Sequence, residues 1–365
     1  MAPTPRPGIM DIAPYVPGSH SVPGVELRAV LSANENPLGA SPRAVAAFKA
    51  HAEKLHRYPE GGSTALRAAL ARHYGLDAAR IVCGNGSDEL IGLLVHAYAG
   101  PGDEVLYSQY GFLMYPIAAR ANGAVPVTAP EKDFRADVDA ILKRVTAKTR
   151  IVFLANPNNP TGTYLSREEV ARLAEGLPKG TLFVIDAAYA EFVVRNDYSA
   201  GSELVDRYDN VVMTRTFSKI HGLAALRLGW AYCPAGVADV LNRIRGPFNV
   251  NAAAQAAGLA ALEDVAFTDA TRTHNDIWRD WLAGKLKAMG LTVTPSVGNF
   301  LLVRFAADKG RDANAADAYM ARRGIIPRKV AGYGLPDCLR ITVGTEAETR
   351  AVADALADFL AGKPA

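Results

Sequence analysis

Residues 216–222, Thr-Phe-Ser-Lys-Ile-His-Gly, carry the side chains best suited to chemistry in this chain. Their lysine, Lys219, follows the strand-like run 210–213 and precedes an arginine, Arg227, by eight positions. An amine beside a hydroxyl and followed by a guanidinium suits a Schiff base to an aldehyde cofactor that carries a phosphate. A lone Ser-Lys pair fits an ordinary surface lysine beside an unrelated arginine equally well, so this segment alone leaves both interpretations open.

A glycine-rich turn follows another strand-like run. Residues 84–89, Gly-Asn-Gly-Ser-Asp-Glu, come directly after the run 81–83 and open a predicted helix. The first N–H groups of a helix can receive a phosphate. Ser87 and Asp88 could instead simply cap that helix, and the turn lacks the Lys-Ser/Thr ending of a P-loop.

Polar residues also follow two later strand-like runs. Residues 156–162, Asn-Pro-Asn-Asn-Pro-Thr-Gly, form a rigid turn in which Asn159 could donate a hydrogen bond to a phenolate oxygen. Asp186 stands at the end of the run 182–185, where a carboxylate can hold a ring nitrogen protonated, and Tyr189 comes three residues later. Each pattern has a structural alternative, a turn in the first case and a helix cap in the second.

The elements that must position these residues are strands and helices in alternation. Apolar, strand-like runs lie at residues 81–83, 104–107, 124–127, 150–154, 182–185 and 210–213. Helical patterns lie between them, and residues 166–169, Ser-Arg-Glu-Glu, match a capping box. This alternation predicts an α/β fold with a mostly parallel sheet covered by helices on both faces. Ligands bind beyond the carboxyl ends of such strands, so the polar segments should converge there.

The length and the second half of the chain predict more than one domain. A chain of 365 residues exceeds the size at which one hydrophobic core keeps growing. A long helical stretch after about residue 260 leads into further strand-like runs at 300–303 and 339–343. We therefore predict an N-terminal arm (1–32), a large cofactor-binding domain (33–260) and a smaller α+β domain (261–365).

Composition argues against several classes of partner. The formal charge is only +3 and no basic run occurs, which is unlike a nucleic-acid-binding protein. No apolar stretch reaches the length of a membrane span, and the proline-rich start lacks the apolar core of a signal peptide. The three cysteines are far apart and the seven histidines show no ligand spacing, so we expect neither disulfides nor a metal site. We expect a cytoplasmic protein.

Together the four polar segments contain every group that a pyridoxal phosphate site requires. With them, the chain closely resembles the class I/II aminotransferases of fold type I, from Asn-Glu-Asn-Pro at 34–37 to Arg340. Further motifs that carry the resemblance are Arg-Tyr-Pro at 57–59, Gly-Tyr-Gly-Leu-Pro at 332–336 and Leu-Arg-Ile-Thr-Val-Gly at 339–344. The resemblance implies pyridoxal 5'-phosphate as cofactor and transamination as the reaction.

The resemblance also implies roles for individual residues. Lys219 would form the Schiff base and move the substrate proton, and Asp186 would pair with the ring nitrogen. Asn159 and Tyr189 would bind the ring oxygen, and Tyr110 would stack on the ring. The residues implied around the cofactor phosphate are Gly86, Ser87, Asp88, Thr216, Ser218 and Arg227. Among them we expect Asp88 to act as the helix cap rather than as a phosphate contact, since like charges repel.

Substrate and subunit contacts follow from the same resemblance. Arg340 would grip the substrate anion, because a planar guanidinium suits either carboxylate or phosphate. The further substrate-binding residues implied are Tyr15, Asn34, Asn159 and Arg328. Tyr58 would reach the cofactor phosphate of a neighbouring subunit, which implies a homodimer with shared sites. Residues 112–115, Phe-Leu-Met-Tyr, would make the entrance beside Tyr110 apolar.

Within the family, the motifs are most similar to the branch that exchanges an amino group between histidinol phosphate and 2-oxoglutarate, with glutamate as the second product, in histidine biosynthesis. An aromatic-amino-acid aminotransferase on the same scaffold is the near alternative. A phosphothreonine-type decarboxylase keeps the same cofactor residues and is a more distant one. A non-catalytic, cofactor-binding regulator would need an appended DNA-binding domain, for which the arm before Ala33 is too short and too rich in proline.

Overall fold

The apolar runs of the sequence form strands in the computed structural model, which describes residues 3–19, 21–308 and 310–364. Each run predicted as a strand overlaps an observed strand. In chain order the strands are β1 (Ala29–Val30), β2 (Ile81–Gly84), β3 (Glu104–Ser108), β4 (Val125–Ala129), β5 (Glu131–Lys132), β6 (Arg135–Ala136), β7 (Thr149–Ala155), β8 (Leu182–Asp186), β9 (Val211–Thr216), β10 (Gly229–Tyr232), β11 (Thr292–Val293), β12 (Phe300–Arg304), β13 (Ile325–Ile326), β14 (Arg328–Lys329) and β15 (Cys338–Thr342).

Side chains at the helix starts explain several boundaries. The predicted capping box is confirmed, because Ser166 accepts from the N–H of Glu169 and the Glu169 carboxylate accepts from the N–H of Ser166. The predicted long helix begins after Asp264, whose carboxylate accepts from a backbone N–H. The helices are α1 (Pro42–Lys49), α2 (Thr64–Tyr74), α3 (Ser87–Tyr98), α4 (Met114–Ala121), α5 (Val138–Arg144), α6 (Arg167–Gly176), α7 (Ser202–Arg207), α8 (Ala235–Ile244), α9 (Ala252–Glu263), α10 (Val265–Ala288), α11 (Ala313–Arg322) and α12 (Glu346–Leu360). Within the described residues, no helix combines the length and apolar character that crossing a bilayer requires.

The large sheet is parallel except for one strand. Its order is β2-β10-β9-β8-β7-β3-β4, and β10 runs antiparallel to both of its neighbours. All other pairs in it are parallel. Because the direction reverses on each side of β10, β2 runs the same way as β9. The predicted α/β fold is therefore confirmed, and the polar segments that follow β2, β7, β8 and β9 lie at one edge of the sheet.

Both faces of this sheet are covered by helices, as predicted. Successive residues of β7 point to opposite faces. Val152 and Leu154 pack in a cluster with α2, α6 and α9, whereas Ile151 and Phe153 pack with α3, α4 and α8. Helix α4 is therefore held directly against the buried strands that carry the polar segments.

A second, antiparallel sheet lies in the C-terminal third of the chain. Its order is β11-β12-β15-β14, and α10, α11 and α12 contribute to the hydrophobic cluster beside it. Strand β1 pairs in parallel with β13, and Leu31 joins the same cluster. The last residues of the predicted arm thus pack with the small sheet. The domain boundaries 1–32, 33–260 and 261–365 remain a prediction.

Candidate active site

A cavity of about 290 Å³ lies at the carboxyl edge of the large sheet and collects side chains from distant parts of the sequence. The predicted site residues on its wall are Tyr15, Asn34, Ser87, Asp88, Asn159, Asp186, Tyr189, Thr216, Ser218, Lys219, Arg227, Arg328 and Arg340. The convergence expected from strand direction is therefore observed. The site occupies the space between the large sheet and strand β15 of the small one.

Lys219 lies in the loop after β9, with its amine in the cavity. Its Nζ donates a hydrogen bond to the carbonyl of Ala33 at 2.9 Å and lies 5.8 Å from the centre of the Tyr189 ring. Removal from water, together with the smaller effect of the nearby Arg340 charge, lowers the pKa of Lys219 to about 8. About a tenth of this amine is therefore neutral at pH 7, and the neutral form is the one that acts as a nucleophile or a base.

One end of the cavity is the start of α3. Gly86 occupies the N-cap position with φ 82°, and no side chain caps the first N–H groups of this helix. Those groups are therefore open to a ligand. Arg227 lies beside them and donates to Ser218 Oγ at 3.3 Å and to Asp88 Oδ2 at 3.0 Å. The expectation that Asp88 caps the helix is wrong: it stands inside the first turn, and its carboxylate forms an ion pair with Arg227.

Two glycines keep this end open enough for a phosphate. A Cβ at Gly86 would lie 2.6 Å from Arg227 Nη2, and a Cβ at Gly229 would lie 2.4 Å from the backbone nitrogen of Ser87. Only glycine permits the backbone and the guanidinium to approach so closely. Backbone N–H groups, a hydroxyl and an arginine around one small space fit the phosphate of pyridoxal phosphate.

Asp186, the last residue of β8, is buried at another point of the cavity. Its Oδ2 accepts from the hydroxyl of Tyr115 at 2.8 Å, and its Oδ1 accepts from Thr214 Oγ1 at 3.4 Å. Burial raises the pKa of Asp186 to about 6, while the hydrogen bonds from Tyr115, Ala188 and Thr214 oppose this rise. No cation within the described residues forms an ion pair with this carboxylate, so it fits the protonated ring nitrogen of the cofactor.

Tyr115 is a residue at this site that the sequence did not reveal. The sequence predicts an apolar entrance at residues 112–115, but Tyr115 is fully buried and contacts Asp186. Phe112, three residues earlier, does line the cavity. The signal for Tyr115 was absent because its partner lies 71 residues away in the sequence.

Tyr189 and Asn34 form a buried hydrogen-bonded pair. Asn34 Nδ2 donates to the Tyr189 hydroxyl at 2.9 Å, and Asn34 Oδ1 accepts from Thr342 Oγ1 at 3.0 Å. Because Tyr189 accepts this bond, its own proton is directed elsewhere, as binding a ring oxygen requires. Burial raises the pKa of Tyr189, which keeps it protonated. Asn34 thus holds Tyr189 in place, and its contact with substrate remains a prediction.

Arg340, on β15, is a buried cation that forms no ion pair with any acidic group among the described residues. Its Nη1 donates to Asn159 Oδ1 at 2.5 Å and its Nη2 donates to the carbonyl of Ser32 at 2.5 Å, while Nε has no hydrogen-bond partner. Both accepting oxygens are uncharged, and a buried charge is costly unless it is compensated. This guanidinium therefore fits an anionic ligand. Asn159 accepts through its oxygen, which leaves its amide nitrogen to donate.

Arg328 and Tyr15 bring the N-terminal arm to the same cavity. Arg328 Nη2 donates to the carbonyl of Val16 at 2.6 Å, and its guanidinium lies 5.7 Å from the centre of the Tyr15 ring. Both side chains line the cavity. The arm is therefore held across the site by a residue of the small sheet.

Three predicted site residues do not line this cavity: Gly86, which adjoins it at the start of α3, Tyr58 and Tyr110. Tyr58 is 83% exposed, and its ring stacks on Phe248 with the ring centres 4.7 Å apart. The ring of Tyr110 lies 5.8 Å from that of Phe134 and packs beside the small sheet. The roles of Tyr58 at a neighbouring subunit and of Tyr110 on the cofactor ring remain predictions.

Comparison with known proteins agrees with this geometry. Residues 29–356 match the model of the family "Aminotransferase class I and II". The histidinol-phosphate aminotransferase of Paramagnetospirillum magneticum is 61% identical over 359 residues, which cover 98% of this chain and 99% of that protein. The histidinol-phosphate aminotransferase of Rhodospirillum centenum is 60% identical over 360 residues, which cover 99% of each chain. The matched family range contains every predicted site residue except Tyr15.

A solved structure is also similar. The crystal structure of histidinol-phosphate aminotransferase from Sinorhizobium meliloti, in complex with pyridoxal-5'-phosphate, superposes with a TM-score of 0.85. It is 32% identical in sequence, and the match covers 93% of this chain and 92% of that one. The similarity therefore extends over both sheets and the cavity between them.

Replacing Arg340 with methionine is expected to raise the pKa of Lys219, because it removes a nearby positive charge that disfavours the protonated amine. The measurement is the pH dependence of Lys219 acetylation by acetic anhydride in cofactor-free protein, followed by mass spectrometry. In the unmodified sequence the rate should reach half its maximum near pH 8, and in the variant at a higher pH. Exposed Lys179 in the same digest controls for reagent reactivity. A Lys219 midpoint that stays unchanged or falls would contradict this coupling.

Proposed function

The chain belongs to the class I and II aminotransferase family, and on that premise we propose that it transfers an amino group between L-histidinol phosphate and 2-oxoglutarate. The reaction uses pyridoxal 5'-phosphate and serves histidine biosynthesis. Relatives with this activity in their names match the chain over nearly its whole length. The cavity residues supply a separate, physical argument for the cofactor and for the substrates.

The observation that carries the proposal is the buried, uncompensated guanidinium of Arg340. Histidinol phosphate has a phosphate and no carboxylate, whereas glutamate has two carboxylates. A planar guanidinium can bind either group by donating paired hydrogen bonds to its oxygens. One arginine can therefore serve both half-reactions, with Arg328 and Tyr15 at the same wall as further contacts for the substrate anion.

Different residues around the cavity would bind different parts of the cofactor. The open N–H groups of α3, Ser218 and Arg227 would bind its phosphate, and Asp186 would hold the proton of its ring nitrogen. Tyr189 and the amide nitrogen of Asn159 would bind its ring oxygen. When bound, pyridoxal phosphate supplies an aldehyde carbon and a ring that withdraws electrons from the substrate α-carbon.

Lys219 is the group that attaches the cofactor and moves the proton. Its lowered pKa leaves the amine able to accept a proton from the substrate α-carbon and to return it. The carbonyl of Ala33 orients the amine through the 2.9 Å hydrogen bond. Ala33 adjoins Asn34, which holds Tyr189, so one short segment aligns both the base and a ring-oxygen ligand.

An aromatic-amino-acid aminotransferase is the second candidate, because the cavity wall includes an aromatic side chain. Phe112 lies on the cavity wall, where it could pack on an aromatic side chain as readily as on an imidazole. Such a substrate would place its carboxylate at Arg340. The two functions differ in the anion and side chain they bind and share the cofactor residues.

Arg340→Met is expected to reduce kcat/KM for histidinol phosphate with 2-oxoglutarate by about a thousandfold, because truncating one partner of a buried charge pair typically costs several kcal/mol. The visible absorption band of the bound cofactor should persist. The control is Arg304→Met, which removes an exposed arginine of the neighbouring strand β12 that pairs with Asp337. It should stay within about twofold of the unmodified protein. Equal losses in both variants would contradict a specific role for Arg340.

We also propose that the chain acts as a homodimer with shared sites. Tyr58 and Leu55 are more than 80% exposed, and Tyr58 stacks on half-exposed Phe248. An exposed apolar patch of this kind is typical of a surface that a second subunit covers. In that arrangement Tyr58 would reach the phosphate end of the partner's cavity. The cytoplasmic location expected from the sequence likewise remains a proposal.

Mixing two inactive variants tests the shared site. In a mixed dimer of Lys219→Ala and Tyr58→Ala chains, one cavity combines an intact lysine with an intact tyrosine from the partner. With equal amounts of the two chains, random re-pairing makes about half of the dimers mixed, and one of the two sites in each is intact. About a quarter of all sites should therefore be active, as measured by active-site titration at limiting cofactor. Each variant alone should stay a folded dimer with little or no turnover. No recovery after verified subunit exchange would contradict the sharing of Tyr58.

A further inference from the structure

Tyr115 is locked in place by aromatic neighbours and makes one polar contact. Its ring lies parallel to that of Phe153 on β7, with the ring centres 4.5 Å apart and an interplanar angle of 5°. The rings of Tyr107 and Phe112 meet it edge-on, each at 5.9 Å. Its hydroxyl donates to Asp186 Oδ2 at 2.8 Å. The ring cannot turn without breaking this packing, so the hydroxyl has a fixed position.

A hydroxyl at this position is not needed for packing. The surrounding cluster is hydrophobic, and phenylalanine would fill nearly the same space. A buried hydroxyl costs free energy unless it is hydrogen-bonded, and here its partner is the carboxylate that faces the cavity. The tyrosine is therefore explained by its contact with Asp186 and not by its ring alone.

The Tyr115 bond is the shortest side-chain contact of Asp186. Thr214 donates to the other carboxylate oxygen at 3.4 Å, and the N–H of Ala188 also donates. Asp88, whose charge faces the same cavity, and burial both favour the protonated carboxyl, whereas these three donors favour the carboxylate. Removing Tyr115 would leave Oδ2 without its side-chain donor.

We propose that Tyr115 is a positioning residue for Asp186, which fixes the orientation of its carboxylate and keeps its negative charge directed at the ring nitrogen of the cofactor. This role rests on the proposed function, because it requires a pyridoxal phosphate ring in the cavity. Tyr115 itself does not line the cavity and acts only through Asp186.

The test is Tyr115→Phe, studied by titrating cofactor-free protein with pyridoxal phosphate and following the visible absorption band. Loss of a hydrogen bond to a charged group should weaken cofactor binding by about tenfold or more. The pH midpoint of the band should move to higher pH. Without the Tyr115 hydrogen bond, the Asp186 carboxylate is less stable as an anion and stabilises a proton on the ring nitrogen less well. With less positive charge on the ring, the Lys219 nitrogen that attaches the cofactor becomes more basic.

Tyr107→Phe is the matched control. Tyr107 is a buried tyrosine of the same cluster that touches Tyr115 edge-on, and its hydroxyl makes no contact with Asp186. The Tyr107→Phe variant should match the unmodified protein in its affinity for pyridoxal phosphate and in the pH midpoint of the visible band. Thermal unfolding of all three cofactor-free proteins shows whether either substitution disturbs the fold.

The outcomes separate this inference from the proposed function. A normal band in the unmodified protein with an unchanged Tyr115→Phe variant would overturn the inference alone. Equal shifts in Tyr115→Phe and Tyr107→Phe would also overturn it, since packing would then explain both. An unmodified protein that forms no band would overturn the proposed function. A shift confined to Tyr115→Phe, in affinity and in pH midpoint, supports the positioning role.

Discussion

The site depends on keeping three ionisable groups out of bulk water without pairing them with opposite charges. Asp186 and Arg340 are buried, and the amine of Lys219 is largely removed from water. Within the described residues, none of the three forms an ion pair. Such burial costs several kcal/mol per charge in real proteins. The rest of the fold must offset this cost, and a ligand of complementary charge removes much of it on binding.

The large sheet provides the rigidity that this arrangement needs. Asp186 ends β8 and Lys219 follows β9, and these adjacent parallel strands are buried along their whole length. Arg340 comes from the small sheet, and its bond to Asn159 fastens that sheet to the turn after β7 of the large one, while its bond to Ser32 holds the segment after β1. Arg340, which would bind the substrate anion, therefore also joins the two sheets. Ligand binding and the relative position of the sheets are physically linked.

Much of this site could be predicted from the sequence because its parts are local. The glycine turn before α3, the proline-rich turn with Asn159, and Asp186 at a strand end are each visible within a few residues. Strand direction then brings them together. The prediction that Asp88 caps α3 is wrong because Gly86 occupies the N-cap position. The Asp88 carboxylate instead accepts a hydrogen bond from Arg227, which lies 139 residues away in the sequence.

Features that depend on distant packing were beyond sequence reasoning. In the sequence Tyr115 belongs to an apolar run. Only the packing of α4 with β7 and β8 brings its hydroxyl to Asp186. The pairing of β1 with β13 joins two-residue strands almost 300 residues apart, and neither has a local signal. The role of Tyr110 on the cofactor ring comes from the resemblance alone and remains a prediction, because its ring packs beside the small sheet. In each case the missing information is a contact between remote segments.

The proposed cavity binds histidinol phosphate and glutamate in turn at one uncompensated arginine, Arg340. The most direct measurement is a single-turnover reaction, in which cofactor-loaded protein is mixed separately with histidinol phosphate, glutamate or phenylalanine and the visible band of the bound cofactor is followed. We expect rapid loss of the band with the first two compounds and little loss with phenylalanine. Equally rapid loss with phenylalanine, or no loss with histidinol phosphate, would contradict it.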